Sequence, residues 1–177
     1  MPPLDGHRYL YKIAMAKQIT YHGKYKGTIV SQFSVNKIRK GLEKKKKEVE
    51  NLIIKQFSYI GEQCVKIARE QGSYNDITGN LRSSIGYVVL NNGKPVKYGE
   101  PKQYNGKLGN GAEGAKAAEA LLTKLQAKFP WGIVLIVCAG MNYAAYVENI
   151  HHKDVLSSAE LKAESLAKQL LKWIIEK

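Results

Sequence analysis

The chain has 177 residues, 44% of them apolar, and its 28 Lys and Arg against 15 Asp and Glu give a net charge of +13. This length suits one domain that buries a core without a disulfide or a structural metal, and the apolar content excludes wholesale disorder. The longest apolar run, residues 133–139, is far shorter than the roughly 18 residues of a membrane-spanning helix. The first residues lack the pattern of a signal peptide, so we expect a cytoplasmic protein without a membrane partner.

The positive charge is unevenly distributed along the chain. Residues 1–60 hold 13 basic and 4 acidic residues, whereas residues 61–177 hold 15 and 11. A basic segment of this kind indicates contact with a nucleic acid or another polyanionic surface. A solvated helix face beside an unstructured arm would explain the same distribution, so both interpretations stay open.

Residues 1–35 are predicted to form a weakly structured basic arm, because they are rich in Tyr, Lys and the turn formers Gly and Pro. Within this arm, residues 28–33 (TIVSQF) are predicted to form a short strand. Met15 is a plausible second start codon, and residues 1–14 would then be an extension without a role. Residues 36–177 are predicted to form a single domain.

A long amphipathic helix is predicted over residues 36–71. Asn36 is a suitable N-cap, and apolar residues follow it at helical spacing without an intervening Pro. Residues 44–47 are all Lys, so the first half of the helix is too polar to be buried. An ion pair between Glu43 and Lys47, four residues apart, would support this half.

Strands and a loop are predicted in the middle of the chain. Residues 83–90 form a predicted strand, residues 91–93 (NNG) a hairpin turn, and residues 95–98 a short partner strand. The Gly-rich residues 99–114 are predicted to form a mobile loop. The continuous run of residues 133–138 (IVLIVC) indicates a central strand that is buried on both faces.

Two further helices are predicted over residues 113–128 and 156–175, where apolar residues again follow a helical period. The order of elements predicts an α+β fold. In this fold a small antiparallel or mixed sheet is packed with a long N-terminal helix, a middle helix and a C-terminal helix.

The glycines of residues 109–114 match the G-x-G-x-x-G pattern of a dinucleotide site, which raises the hypothesis of a nucleotide-dependent enzyme. Such a site needs a buried strand before the glycines and an acidic residue about 20 positions later. The sequence has neither, and Glu113 would repel phosphate at the start of the helix. We therefore expect a loop that binds no cofactor.

Other reactive residues also lack the partners that chemistry requires. The side chains of His151-His152 point to opposite sides of an extended chain, and no further ligand stands at a zinc-type spacing. Cys64 and Cys138 lie in apolar surroundings and are predicted to be small buried residues. Ser83-Ser84 lacks the strand–turn–helix elbow of a nucleophile. The sequence predicts a protein that is not an enzyme and holds no metal.

A run of basic residues near the start of the predicted long helix is the strongest candidate for a binding surface. Its residues are mostly Lys, and no aromatic side chain is interleaved for base stacking. Contact with DNA through this run would therefore be with phosphate and without sequence specificity. We call it the basic run, and it consists of Lys37, Arg39, Lys40, Lys44, Lys45, Lys46 and Lys47.

Two short segments carry a family resemblance. Residues 76–85 (DITGNLRSSI) lead into a predicted strand, and residues 142–148 (NYAAYVE) follow the predicted buried strand. With the long N-terminal helix, these segments resemble the phage tail-component family of the Hong Kong phage type, the head–tail joining or tail-completion proteins of tailed phages and prophages. The resemblance covers residues 36–176, and the chain departs from it at residues 149–150, where the family often has a Gly-containing turn. The motif residues are Thr78, Gly79, Asn80, Leu81, Arg82, Tyr143, Ala144, Tyr146, Val147 and Glu148.

The resemblance implies a structural subunit of a phage neck that assembles as a ring between head connector and tail, without an active site. Its partners would be copies of itself, connector and tail proteins, and DNA contacted without specificity by the basic run. Its location would be the virion and, during assembly, the host cytoplasm. The alternative is a stand-alone, non-sequence-specific nucleic-acid-binding protein. The motif residues either maintain the fold, with Tyr and Val packed inward and Glu148 pairing or capping, or form an interface.

Overall fold

The computed structural model describes residues 34–99 and 102–176, and the predictions made for residues 1–33 lie outside the described residues. Its internal contacts separate the chain into two units, residues 1–42 and 43–177. The described residues of the first unit are 34–42, which are all exposed and begin helix α1, Val35–Glu70. The second unit contains the core.

Helix α1 confirms the predicted long helix but begins one residue early. Asn36 lies inside the first turn instead of capping it, because the carbonyl of Ser34 already accepts the N–H groups of Lys37 and Ile38. The buried residues of α1 all lie in its second half, between Ile60 and Arg69. The first half is exposed, as its run of lysines led us to expect.

A short helix and a strand occupy the region where one strand was predicted. Helix α2, Asn80–Ser83, precedes strand β1, Ile85–Asn91. The prediction that Ser83 and Ser84 lie in a strand is therefore wrong. Their hydroxyl groups bond to nearby backbone instead: the Ser84 Oγ donates to the carbonyl of Leu81 at 2.8 Å.

The sheet has three antiparallel strands in the order β2-β1-β3, with β2 at Lys94–Tyr98 and β3 at Ile133–Ala139. The turn between β1 and β2 is the predicted hairpin, and both Asn92 and Gly93 have positive φ, at 49° and 75°. The prediction that β3 is the central strand is wrong, because β1 occupies that place. The residues of β3 are apolar because helices pack on both faces of the sheet. These helices partly cover the edge strand as well as the central one.

Helices lie on both faces of the sheet. Helix α1 and the C-terminal helix α5, Ser157–Ile175, share one core with Ile85, Tyr87 and Val89 of β1. Helix α3, Ala112–Gln126, packs on the other face against the alternate residues of β1 and β3. Helix α4, Ala144–Asn149, connects β3 to α5. This is the α+β arrangement predicted from the sequence.

None of the helices in the described ranges is both long enough and apolar enough to cross a membrane.

Candidate functional site

The sheet brings the two segments of the family resemblance together. Ile85 ends the first segment and pairs with Ala139, which lies three residues before the second. The N–H of Gly140 also donates to the carbonyl of Ser84 at 2.8 Å. Polar side chains from both segments and from the intervening chain then form one cluster, which we call the motif cluster: Asp76, Thr78, Asn80, Arg82, Tyr104, Glu113 and Tyr143.

Thr78 and Asn80 organise the turn at the start of α2. The Thr78 Oγ1 accepts the N–H of Asn80 at 3.4 Å, and Gly79 between them takes a left-handed conformation with φ 77°. The Asn80 side chain donates to Glu113 Oε2 at 3.0 Å, which connects α2 to the first turn of α3. Leu81 is almost fully buried in the core. These motif residues therefore maintain the local fold.

Arg82 is held by a carboxylate and an aromatic ring. Its Nε lies 3.8 Å from Asp76 Oδ2, and the Asp76 side chain is only 7% exposed. The guanidinium also lies over the Tyr104 ring, 5.6 Å from its centre, and the guanidinium of Arg69 approaches the same ring at 5.4 Å. Tyr104 thus joins the first motif segment to the second half of α1.

The Gly-rich loop packs against the first motif segment, which corrects the prediction of a mobile loop. The N–H groups of Leu108 and Gly111 donate to the carbonyls of Ile77 and Thr78, and the N–H of Tyr104 donates to Ser83 Oγ at 2.8 Å. A side chain at Gly111 or Gly114 would overlap atoms of residues 79–83 or 104. The glycines that match the dinucleotide-binding pattern therefore allow two loops to pack closely together.

The second motif segment divides between core and surface. Ala144 is buried and Val147 packs against the main core. Tyr143 and Tyr146 are 37% and 55% exposed, so the expectation that the tyrosines pack inward is wrong. Helix α4 is short and lies on the surface, so residues three apart on its outer side meet solvent whatever their size.

Glu148 caps helix α5, one of the two roles predicted for it. Its Oε1 accepts the backbone N–H groups of Leu156 and Ser157 at 3.0 and 2.8 Å, and also the Ser157 hydroxyl. Burial alone would raise the pKa of the Glu148 carboxyl, but these hydrogen bonds outweigh it and lower the pKa. The N-cap residue Leu156 has no side-chain acceptor, and Asp154 Oδ1 accepts the next N–H group, that of Ser158, at 3.1 Å.

The Tyr143 hydroxyl lies close to groups of the first motif segment. Its pKa is raised, chiefly by burial of the hydroxyl and also by the neighbouring Asp76 carboxylate. The side chain of Thr78 interacts with the same hydroxyl and opposes this rise. The ring is nevertheless partly exposed, so Tyr143 belongs both to the motif cluster and to the surface above it.

The segments that build the motif cluster also carry four exposed apolar side chains. Ile77 is 54% exposed, and Leu108, which bonds to its carbonyl, is 81% exposed. Tyr146 lies on α4, and Tyr143 comes immediately before this helix. We call these four residues the motif surface. Neighbouring exposed apolar residues of this kind are typical of a protein–protein contact. The sequence analysis missed Ile77, Leu108, Tyr104 and Glu113, and the glycine spacing of the loop was the signal that could have found them.

All residues of the basic run are exposed, and no described contact joins them to the motif cluster. Lys37, Arg39 and Lys40 belong to the first unit, and the four consecutive lysines belong to the second. The pairs formed are Lys45 with Glu48 at 2.9 Å and Lys46 with Glu50 at 3.7 Å, instead of the predicted Glu43–Lys47 pair. Among the described residues, Lys44 and Lys47 form no ion pair.

The remaining candidate residues take structural places. Cys64 and Cys138 are buried free thiols, as predicted, and burial raises the pKa of Cys138 to about 11. His151 stacks edge-on against Tyr146, with ring centres 5.0 Å apart. In the described part of the chain, no three His, Cys, Asp or Glu side chains are grouped as metal ligands.

Comparisons with protein-family models, with curated proteins and with solved structures found no match to this chain. The family resemblance therefore remains a prediction from the two motif segments.

Proposed function

We propose that this protein is a structural subunit of a tailed phage or prophage neck, which joins the head connector to the tail as part of a ring. The observation that carries the proposal is the convergence of the two motif segments. Segments more than 50 residues apart in the sequence meet through the pairing of Ile85 with Ala139 and through the interaction of Thr78 with Tyr143. Two motifs that contact each other in the fold support the resemblance more strongly than two motifs at unrelated positions would.

The motif surface is the part of the molecule that we assign to the neighbouring neck proteins. Ile77 and Leu108 lie on loops connected by a backbone hydrogen bond, and the glycines of the loop pack tightly against residues 78–80. A surface that is held by its own backbone loses little conformational entropy on binding, which favours a stable joint. The proposed partners are connector and tail proteins, and further copies of the same chain complete the ring.

Electron microscopy of particles from the source strain tests the proposal directly. Deletion of the gene should leave DNA-filled heads and finished tails as separate particles, and the wild-type gene supplied in trans should restore joined virions. Joined, infectious virions from the deletion strain would reject the role in joining. A strain that makes no phage particles before the deletion would reject it as well.

Substitutions on the motif surface give the matched version of this test. Leu108→Ser with Tyr146→Ser removes two exposed apolar side chains and leaves the core intact. We expect this variant to fold normally and fail to restore joining. Leu161→Ser on α5 also removes an exposed apolar side chain, and this control should restore joining fully.

A second candidate function is non-sequence-specific binding of nucleic acid, which is favoured by the exposed basic run and the net charge of +13. Binding through six or more phosphates should be tight at low salt and weaken by about a thousandfold as salt rises to roughly 200 mM. Titration of labelled duplex DNA at several salt concentrations measures this dependence. Lack of binding at about 50 mM salt would exclude this function.

A further inference from the structure

The two edges of the sheet are protected to very different degrees. Strand β2 carries Lys94, Pro95 and Lys97, and its pairing with β1 is interrupted by an irregularity after Val89. Lysine, proline and bulges on an edge strand all discourage pairing with another strand. Strand β3, residues 133–139 (IVLIVCA), has none of these features. Within the described residues, no strand pairs with its outer edge.

An apolar groove of about 430 Å³ runs along the unprotected edge. The consecutive residues Ile133, Val134 and Leu135 all line it. Successive side chains of a strand point to opposite faces, so a groove lined by three in a row opens at the edge of the sheet. Phe57 of α1 and Ala163 of α5 form the flanking wall.

The rim of this groove is acidic. Glu160 and Glu164 of α5 both line it and both are exposed. Glu164 binds Lys168 at 2.6 Å, whereas Glu160 forms no ion pair within the described part of the chain. An occupant of the groove would therefore be an extended apolar segment with positive charge at one end.

The chain itself contains a segment that combines apolar residues, Ile29, Val30 and Phe33, with basic residues before them. Residues 28–33 (TIVSQF) have the pattern of a short strand, and Lys24 and Lys26 precede them. Residues 1–33 as a whole hold five Lys or Arg and one Asp, so their charge complements the acidic rim. The six residues of this predicted strand are close in number to the seven residues of β3.

We propose that residues 24–33 of a second copy of this chain dock along the outer edge of β3. Residues 28–33 add a strand to the sheet, their apolar side chains fill the groove, and Lys24 and Lys26 pair with Glu160 and Glu164. Addition of a strand to a sheet edge is an established mode of recognition, in which backbone hydrogen bonds give affinity and side-chain pockets give specificity. Because donor and acceptor surfaces differ, this contact is head-to-tail and closes into a ring where the rotation permits. The inference does not depend on the proposed function.

Charge reversal in the full-length protein tests the contact. Glu160→Lys with Glu164→Lys changes two exposed residues, so the fold should survive, and self-association measured by sedimentation velocity should weaken by roughly tenfold. Lys24→Glu with Lys26→Glu should weaken it by a similar factor. The protein that combines all four reversals should recover association, which a merely unfolded variant would not do.

A peptide provides the second arm of the test. A synthetic peptide of residues 24–33, added in excess to the full-length protein, should dissociate the oligomer, and a scrambled peptide of the same composition should not. A protein that stays monomeric at every concentration would overturn the proposal, and so would an oligomer that ignores both the reversals and the peptide. These measurements use purified protein, whereas the neck role is tested on phage particles. Either proposal can therefore be rejected while the other stands.

Discussion

Both halves of α1 carry apolar residues at helical spacing, but the first half has fewer of them and very different surroundings. Leu42 in the first half is 66% exposed, whereas Ile60 in the second half is 3% exposed and lies in the main core. Helix α5 explains part of this difference, because Cys64 Sγ donates to the carbonyl of Ala159 at 3.4 Å and the two helices share a core. Helical periodicity thus predicts which residues share a face, and neighbouring elements decide whether that face is covered.

The largest expected difference between the halves is the effect of removing a large apolar side chain. Ile60→Ala should lower the free energy of unfolding by about 3 kcal/mol, because it removes buried methyl groups and leaves a cavity. Leu42→Ala should change it by less than about 0.5 kcal/mol. Chemical denaturation followed by circular dichroism measures both. Equal losses would show that the first half of α1 is also covered in solution.

The two glycines of α1 extend the comparison to backbone packing. A side chain at Gly61 would overlap the Tyr87 ring, whereas nothing lies within 4 Å of the same position at Gly41. We expect Gly61→Ala to destabilise the protein by about 2 kcal/mol. Gly41→Ala should stabilise it by about 0.5–1 kcal/mol, since alanine favours helix. Thermal unfolding of both variants should therefore shift in opposite directions, and a shift in one direction would contradict the contrast.

Helix α5 packs against the second half of α1, so weakening the cap of α5 should also destabilise the protein, though by less than the loss of a core side chain. Glu148→Gln should cost about 1 kcal/mol of stability, because a neutral amide is a weaker acceptor for the N–H groups of Leu156 and Ser157. Glu119→Gln, which changes an exposed acid on α3 without a described ion pair, is the control and should have a much smaller effect.

The same cap predicts a pH dependence. The folded protein lowers the pKa of Glu148, so this stabilisation is complete above the unfolded value of about 4.3 and disappears as pH falls through the folded pKa. The wild-type protein should lose the advantage over Glu148→Gln as the pH drops below about 4. Denaturant midpoints of both proteins at several pH values measure this loss. A difference between wild type and Glu148→Gln that stays constant down to acidic pH would contradict the capping role.

The smallest expected effect on stability lies in the basic run. Lys44→Gln with Lys47→Gln removes two exposed cations without a described ion pair, so stability should change by less than about 0.5 kcal/mol. If the run binds DNA, the slope of log affinity against log salt should fall by about 1.8. Lys116→Gln with Lys124→Gln on α3 removes the same charge elsewhere. If the salt dependence of DNA binding changes equally in both variants, the effect comes from the overall charge and the basic run is not a DNA-binding site.

Much of the fold was predictable because it depends on local pattern. The helical period gave three helices within a few residues of their observed ends, and the Asn92-Gly93 pair predicted the hairpin through its tolerance of positive φ. The class of fold followed from the order of the elements. Parts of the site were also predictable, since Glu148 caps α5 and the basic run is exposed.

Some wrong predictions were local: Ser83 lies in helix α2, and Asn36 lies inside the first turn of α1 instead of capping it. The others concern what lies beside a segment. The loop before α3 appeared mobile from its glycines, which instead allow close packing on residues 78–80. The apolar run of β3 indicated a central strand, but helices on both faces of the sheet also cover an edge strand in part. Tyr143 and Tyr146 are large and apolar, yet their helix lies at the surface.

The sequence by itself therefore determined the three long helices, the hairpin and the charge distribution, because spacing, turn chemistry and charge act over a few neighbouring residues. The tertiary structure alone decided the order of the strands, the meeting of the two motif segments and the place of β3 at the side of the sheet opposite β2. These features depend on contacts between residues far apart in the chain. A pattern of apolar residues predicts that one face of an element is covered, but it does not identify the element that covers it.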